Sequence, residues 1–282
     1  MVKSLKILFI LIAFINYTNA QDIVCSAKDK ELFTQKINEL NKDYKTSKSP
    51  GETIIFVGKS FLKTPYVEKT LEIGAKESLV INLQGLDCTT YVENVLAFTL
   101  MLKNNQSDFD TYTDYLEDIR YRNGKLNGYT SRLHYFSEWI ANNQQKKLIK
   151  NITNDLGGIS AEKEINFMST HRDSYPFLKE QDNFKGIQEV EKVINQYPIC
   201  YLPKDQIKSQ EHLIESGDII ALVTSIKGLD ITHTGFAIRE TDGNIHLLHA
   251  SSSGAVKISK LPLTEYLKKI KHNIGIIVSR VL

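Results

Sequence analysis

The sequence predicts an α+β fold, with helices in the first part of the chain and an antiparallel sheet in the last third. Apolar residues recur at helical spacing between residues 28 and 102. Beyond residue 218 the pattern changes to short apolar runs of strand length. We expect one buried helix to pack on a sheet of about five or six strands, with helical and loop insertions around this core.

The first part of the chain is predicted to be mainly helical. A break at Ser49-Pro50-Gly51 separates the first two helices. The last predicted helix carries apolar side chains on nearly all sides, so we expect it to be buried. The predicted segments are helix Lys28–Tyr44, helix Glu52–Leu62, extended segment Leu79–Leu83 and helix Cys88–Leu102.

The last third is predicted to form the sheet. The turn Thr241-Asp242-Gly243-Asn244 is a hairpin signal between two of the strands. The segment Arg120–Pro203, between the helices and the sheet, is predicted to be irregular. We expect this long connection to line a cleft. The predicted strands are Asp218–Val223, Thr234–Ile238, Ile245–Leu248 and Ile274–Val278.

The N-terminus is typical of an export signal. Lys3 and Lys6 precede the apolar run Ile7–Ile15, and small residues follow at positions 18 and 20. We therefore expect residues 1–20 to be a removable signal and residues 21–282 a single domain, periplasmic or secreted. An uncleaved anchor is the alternative. No later stretch approaches the roughly 20 apolar residues of a membrane helix, so no stable membrane insertion is expected after cleavage.

Charge and cysteine content limit the function classes. The 35 basic and 33 acidic residues nearly balance and form no long basic stripe, so nucleic acid is not an expected partner. Three cysteines leave at least one thiol unpaired, and Cys88 is the candidate. Cys25 and Cys200 either form a disulfide or are both free thiols, and the sequence leaves both possibilities open.

Cys88 is the candidate nucleophile. It follows a turn and begins the buried helix, where unpaired backbone N–H groups and the helix dipole favour a thiolate. The same N–H groups could hold the oxyanion of a tetrahedral intermediate. By itself the position is a weak signal, because an inert buried thiol fits it equally well.

Two histidines are candidates for the base and its partner. His233 begins a strand, with Gly235 on the same face, and His249 ends the next strand, where it could orient His233 or simply be a polar strand end. Residues sixteen apart share a hairpin face only with a bulge or an odd-numbered loop, so we predict the odd loop. Neither metal nor cofactor is expected, because His233, His246 and His249 lack metal-ligand spacing.

Several segments resemble known cell-wall enzymes. Asp87-Cys88-Thr89-Thr90-Tyr91-Val92, the His-x-Gly strand at His233, His249-Ala250-Ser251 and Thr64-Pro65-Tyr66 resemble the conserved blocks of the NlpC/p60 cysteine peptidases, which are papain-like folds acting on peptidoglycan. Residues 66–72, 132–139 and 166–169 are similar to the DUF1460 branch of that superfamily. The resemblance runs from about Glu52 to the C-terminus.

The resemblance implies an N-acetylmuramoyl-L-alanine amidase of cell-wall turnover or recycling. It assigns Cys88, His233 and His249 to a catalytic triad that forms a thioester acyl-enzyme, with Tyr66 assisting the oxyanion. Asp87 shapes the pocket beside the nucleophile, although in endopeptidase members the matching Asp binds a substrate amine. Thr89 lies where the usual Asp-Cys-Ser-Gly motif has a smaller residue, and it either narrows the pocket or is an ordinary first-turn residue.

Further candidates contact the substrate, for which we expect muropeptides, the soluble fragments of peptidoglycan. Arg132, His134, Tyr135 and Met168 suit a carboxylated peptide and a sugar ring, although Arg132 could instead pair with an acid. Ser251 could bond substrate amides or form a polar turn. The alternatives are a γ-D-glutamyl-diamino-acid endopeptidase on the same fold and a catalytically silent wall-binding module.

Overall fold

The computed structural model describes residues 23–44 and 49–282. The predicted export signal lies outside these residues. The helices are α1 (Ala27–Asp43), α2 (Pro50–Ser60), α3 (Cys88–Lys103), α4 (Phe109–Arg120), α5 (Phe136–Gln145), α6 (Phe167–Thr170), α7 (Gln181–Ile194), α8 (Ile207–Gln210) and α9 (Leu263–Lys268). The strands are β1 (Ile23–Cys25), β2 (Leu79–Ile81), β3 (Ile149–Asn151), β4 (Ile159–Ala161), β5 (Ile199–Pro203), β6 (Ile219–Thr224), β7 (Ile231–Arg239), β8 (Ile245–Ala250), β9 (Val256–Ile258) and β10 (Asn273–Val281).

The predicted α+β class is confirmed. Eight of the described strands form an antiparallel sheet in the order β4-β5-β10-β6-β7-β8-β9, with β3 also pairing β10. The estimate of five or six strands was too low, because β3, β4 and β9 have only three residues each and show no periodicity. A separate parallel pair joins β1 to β2.

Both faces of the sheet are covered. Strand β6 is buried along its whole length, with Ile219, Ala221 and Val223 facing one apolar cluster and Ile220 and Leu222 facing the other. This explains why its sequence is continuously apolar rather than alternating. The first cluster includes α3, as predicted, and the second includes apolar residues of α8 and α9.

Helix α3 is buried between α2, α4 and strand β7. Tyr91 shows how it is held: its ring meets Phe236 of β7 edge-on at 5.7 Å, and its hydroxyl donates to the Gly58 carbonyl of α2. Helix α2 begins at Pro50 rather than Glu52, because Ser49 and Glu52 form a capping box and proline fits the first helical position.

The segment predicted to be irregular contains regular structure. Helices α5 and α7 and strands β3, β4 and β5 all lie within residues 120–203. Helix α7 was not predicted, and its buried residues are few, namely Ile187 and Glu191. Trp139 of α5 is fully buried and stacks on Phe136.

One question left open by the sequence concerns the cysteines. Cys25, Cys88 and Cys200 are all free thiols, so the alternative without a disulfide is the one observed. Within the described residues, no helix combines the length and the apolar character needed to cross a bilayer.

Candidate active site

Helix α3 begins at Cys88 because Asp87 caps it. The Asp87 carboxylate accepts a hydrogen bond from the Thr90 N–H (2.8 Å), and the Thr90 hydroxyl accepts one from the Asp87 N–H (2.9 Å). This capping box satisfies backbone donors that a helix N-terminus otherwise leaves unpaired. Helix capping therefore explains an Asp before the cysteine without any substrate amine.

The sulfur of Cys88 lies against the beginning of β7. Thr89, His233 and Thr234 line the same cleft as Cys88. Burial raises the pKa of Cys88 to about 12, and the charge of Asp87 adds to the rise. Interactions with the backbone of Thr234 and with Thr89 favour the thiolate, but desolvation of the anion outweighs them. Cys88 rests as a thiol.

The β7–β8 hairpin brings the two histidines together. Arg239 pairs with Ile245, so the connecting loop has five residues, 240–244, and the predicted odd loop is confirmed. The Nε2 atom of His233 lies 2.6 Å from Nδ1 of His249. Gly235 makes this possible, because a Cβ atom there would come within 2.8 Å of the His249 Cβ.

Both imidazoles are neutral near pH 7. Burial lowers the pKa of His233 to about 4. Burial, followed by the charges of His233 and Lys257, lowers the pKa of His249 to about 3. Since Nε2 of His233 is bonded to His249, the nitrogen left for the thiol is Nδ1. His233 can accept a proton at Nδ1 only if Nε2 carries the hydrogen and donates it to His249.

The backbone of Tyr66 contacts two segments of the site, one that follows His249 and one that precedes Cys88. Its N–H donates to the Gly254 carbonyl (2.8 Å), just beyond His249, and the residue forms a bridge with Leu86, two residues before Cys88. Burial raises the pKa of Tyr66 to about 12, and the charges of Cys88 and Asp87 contribute. The Tyr66 hydroxyl is therefore a protonated donor close to Cys88.

A cleft of about 250 Å³ contains Cys88, the candidate nucleophile. Among the described residues, Tyr66, His249 and Ser251 do not line it. The Ser251 hydroxyl instead bonds Ser253, which supports the polar-turn interpretation. The predicted residues that line the cleft are Asp87, Cys88, Thr89, Arg132, His134, Tyr135, Met168 and His233.

The guanidinium of Arg132 is not available to bind a substrate carboxylate. Its guanidinium lies 3.0 Å from Glu77 and 3.3 Å from Glu72, and only 8% of the residue is exposed. The alternative of pairing with acids is thus the one observed, although the pairs are buried. His134 is held beside it, with Nε2 2.9 Å from the Tyr129 carbonyl. Burial, with help from the charge of Arg132, lowers the pKa of His134 well below its usual value.

Tyr135 and Met168 belong to a common network. The Tyr135 hydroxyl donates to Glu191 (2.7 Å) and accepts from the Met168 N–H (2.9 Å). Both residues are nearly fully buried. The Tyr135 hydroxyl is therefore occupied within the protein, and what these two residues offer the cleft is mainly apolar surface.

Sequence reasoning missed an ion pair in the cleft wall. Arg120 and Glu93 are 2.8 Å apart, both side chains are 2% exposed, and both line the cleft. A charged residue at position 93 inside an otherwise apolar helix was the available signal. Asp230 was also missed, and it accepts hydrogen bonds from the Ser137 and Ile231 N–H groups.

The described residues contain no cluster of three or more His, Cys, Asp or Glu side chains that could hold a metal ion. The strand histidines His233, His246 and His249 do not converge on one point, because their ring nitrogens have different partners. Nδ1 of His246 lies 2.8 Å from the Ser259 carbonyl and its Nε2 3.1 Å from Asp242, whereas His233 and His249 bond each other.

The chain is similar to several solved structures. An N-acetylmuramoyl-L-alanine amidase from Bacteroides uniformis is 37% identical, with a TM-score of 0.79 over 83% of this chain and 99% of that one. A Bacteroides fragilis protein described as a putative xylanase is 40% identical, with a TM-score of 0.75 over 79% and 99% of the respective chains. A Legionella pneumophila DUF1460 protein is 24% identical, with a TM-score of 0.69 over 92% and 97%, and shows the fold alone.

A search of curated proteins finds no match. The model of the AmiA-like family, described as N-acetylmuramoyl-L-alanine amidase-like, matches residues 56–276. This range includes Tyr66, Cys88, His233 and His249, and it agrees with the resemblance that begins near Glu52. The chain belongs to the AmiA-like family of N-acetylmuramoyl-L-alanine amidase-like proteins.

Proposed function

We propose that this chain is a cysteine amidase that hydrolyses the bond between the lactyl group of N-acetylmuramic acid and L-alanine in muropeptides. One arrangement carries the proposal: Cys88 and His233 line the same cleft, and His233 in turn bonds His249 at 2.6 Å. The family and the B. uniformis amidase structure support the choice of bond.

In the first half of the reaction, the neutral Cys88 thiol and the neutral His233 imidazole act together. As the Cys88 sulfur attacks the lactyl carbonyl carbon, the thiol proton passes to Nδ1 of His233. The carbonyl oxygen becomes an oxyanion, which the Tyr66 hydroxyl and backbone N–H groups at the start of α3 stabilise. When the tetrahedral intermediate collapses, the C–N bond breaks and His233 protonates the departing alanine nitrogen.

The second half returns the enzyme to its starting state. Water attacks the thioester carbonyl while His233 removes its proton, and the C–S bond then breaks. The products are the muramic acid carboxyl group and the Cys88 thiol, whose proton comes from His233. His249 acts throughout as a positioning residue, because it accepts the Nε2 hydrogen and keeps Nδ1 directed at the sulfur.

The cleft is suited to a neutral substrate group that donates hydrogen bonds. The Tyr129 carbonyl can only accept, so Nε2 of the neutral His134 carries the hydrogen and Nδ1 is an acceptor. Arg132 is neutralised by Glu72 and Glu77. A sugar hydroxyl or an amide N–H suits this wall better than the carboxylate we first expected for Arg132 and His134.

A glycosidase mechanism fits this cleft poorly, although one similar structure is described as a putative xylanase. Glycosidases need two free carboxyl groups on either side of the glycosidic bond. Of the acids that line the cleft, Glu72 and Glu93 are paired with arginines, while Asp87 and Asp230 accept backbone N–H bonds. No such pair is free for acid and base roles.

We place the enzyme outside the cytoplasm, in the periplasm or secreted, because residues 1–20 are typical of an export signal. The peptidoglycan fragments that the proposal assigns as substrate are found there. Soluble muropeptides are the expected substrate, so release of material from purified polymeric sacculi should be weak.

Mass spectrometry of purified muropeptides after incubation with the protein tests the proposal. The expected products are an intact stem peptide beginning with L-alanine and the free muramic acid sugar. A cut inside the stem would replace the amidase by the endopeptidase alternative. Unchanged muropeptides would leave only a binding role.

A further inference from the structure

The imidazole of His249 is hydrogen-bonded at one of its two nitrogens. Its Nδ1 lies 2.6 Å from Nε2 of His233, whereas its own Nε2 is buried and has no hydrogen-bond partner among the described residues. Only 1% of His249 is exposed. A buried polar atom without a partner is costly, so a neighbouring group is expected to satisfy this nitrogen.

The state of this nitrogen sets the direction of the hydrogen bond between the two histidines. A neutral imidazole carries one hydrogen. If Nε2 of His249 holds it, Nδ1 accepts from His233, and Nδ1 of His233 is free to act as the base. If Nε2 of His249 is bare, its Nδ1 must donate to His233. The hydrogen of His233 then lies on Nδ1, which can no longer take a proton from Cys88.

An aromatic ring of helix α9 lies against His249. It belongs to Tyr266, whose ring centroid is 5.6 Å from that of His249, with the two planes inclined by 75° in an edge-to-face arrangement. The face of an aromatic ring is negative and the edge positive. Such a face attracts an N–H group and repels the lone pair of a bare nitrogen.

We propose that the ring of Tyr266 accepts the Nε2 hydrogen of His249, which makes Tyr266 a positioning residue of the active site. The effect passes from ring to ring. Tyr266 keeps the hydrogen of His249 on Nε2, so that Nδ1 accepts from His233, and His233 in turn keeps Nδ1 free for Cys88. The consequence for catalysis rests on the proposed amidase function, whereas the contact between the rings does not.

Two other groups near His249 do not satisfy its Nε2. Lys257 pairs with His249 between β8 and β9, but its ammonium bonds Ser253 and offers only donors. Burial, followed by the charge of Cys88, raises the pKa of Tyr266, so its hydroxyl keeps its proton. The oxygen of that hydroxyl forms no hydrogen bond with Nε2 of His249, which leaves the ring face as the acceptor.

Proton–nitrogen correlation NMR of the whole protein, isotopically labelled at the histidine nitrogens, tests the contact without any substrate. The signals of His249 are identified by their loss in His249→Asn. We expect a hydrogen on Nε2 of His249, shifted upfield by the ring current of Tyr266. Tyr266→Phe should retain both features. Tyr266→Leu should lose the upfield shift and move part of the hydrogen population to Nδ1.

Steady-state kinetics on a purified muropeptide tests the consequence. We expect Tyr266→Leu to lower kcat about fivefold with little change in KM, and Tyr266→Phe, which keeps the ring, to recover most of this loss. Tyr197→Leu makes the same change at a side chain that is 70% exposed, and it should alter neither the spectrum nor kcat.

Two results would overturn the proposal. One is an unchanged Nε2 hydrogen signal in a folded Tyr266→Leu chain. The other is equal damage to kcat by Tyr266→Phe and Tyr266→Leu, because that result would assign the role to the hydroxyl. If the wild type cleaves no muropeptide, the amidase proposal fails, and the NMR comparison still decides whether the ring of Tyr266 holds the hydrogen of His249.

Discussion

His233 and His249 face each other across neighbouring strands, with Nε2 of the first 2.6 Å from Nδ1 of the second. The five-residue loop between β7 and β8 places them on the same face of the hairpin. The contact fixes which nitrogen of His233 is free, and that nitrogen is the one the proposed mechanism requires as base. Several predictions about catalysis depend on this contact.

Removing His249 should impair catalysis through orientation rather than binding. We expect His249→Ala to lower kcat about 100-fold with little change in KM, because His233 loses the acceptor that holds its tautomer. His249→Asn retains a side-chain acceptor and should recover a large part of the loss. Steady-state kinetics on a purified muropeptide, with circular dichroism as folding control, measures both variants. Equal damage by Ala and Asn would show that hydrogen-bond acceptance at position 249 is unimportant.

Gly235→Ala should disturb the histidine pair from the neighbouring strand. The new Cβ would meet both the His249 Cβ and the Leu248 carbonyl at 2.8 Å, and a backbone atom cannot move aside cheaply. We expect a stability loss of about 1–3 kcal/mol and a clear fall in kcat. Gly157→Ala is the control: with φ of +83° and no atom within 4 Å of its Cβ, it should cost stability without lowering kcat. A fully active Gly235→Ala enzyme would contradict the close contact.

The pH dependence should be that of a neutral thiol–imidazole pair. Because the pKa of His233 is lowered to about 4, the base stays unprotonated through mildly acidic pH and kcat/KM should fall only as pH approaches 4. Because the pKa of Cys88 is raised to about 12, its alkylation by iodoacetamide should keep accelerating up to pH 9. An alkylation rate already at its plateau at pH 6 would indicate a resting thiolate–imidazolium pair instead.

The buried Arg120–Glu93 pair should matter for stability. Glu93→Gln leaves the Arg120 charge uncompensated in the cleft wall, and we expect a loss of about 3 kcal/mol in urea unfolding. Glu31→Gln removes the matching acid from the exposed pair with Lys28, where both side chains are about half exposed, and should change stability by at most about 0.5 kcal/mol. Similar losses for the two variants would argue against a special role for burial.

Local patterns were sufficient to predict part of the geometry of the candidate site. The cysteine at a helix start, the spacing of the two histidines and the parity of their connection are all encoded over short distances, and each corresponds to the structure. The longer strands of the sheet and the buried α3 could be predicted because their apolar residues form long runs.

Properties that depend on distant residues could not be predicted. Arg132 meets Glu72 across 60 residues, and Arg120 meets Glu93 across 27, so the sequence alone could not tell a substrate contact from an internal ion pair. The raised pKa of Cys88 could not be predicted, because the helix N-terminus is a local feature, whereas the burial that raises the pKa comes from tertiary packing.

The most direct test of the account compares three proteins acting on the same purified muropeptide: the wild type, Cys88→Ala and Cys200→Ala. The last variant removes a free thiol outside the cleft and controls for loss of a cysteine as such. We predict that the wild type and Cys200→Ala release the stem peptide at similar rates, while folded Cys88→Ala releases none. Release by Cys88→Ala at a rate near that of the wild type would contradict Cys88 as the nucleophile.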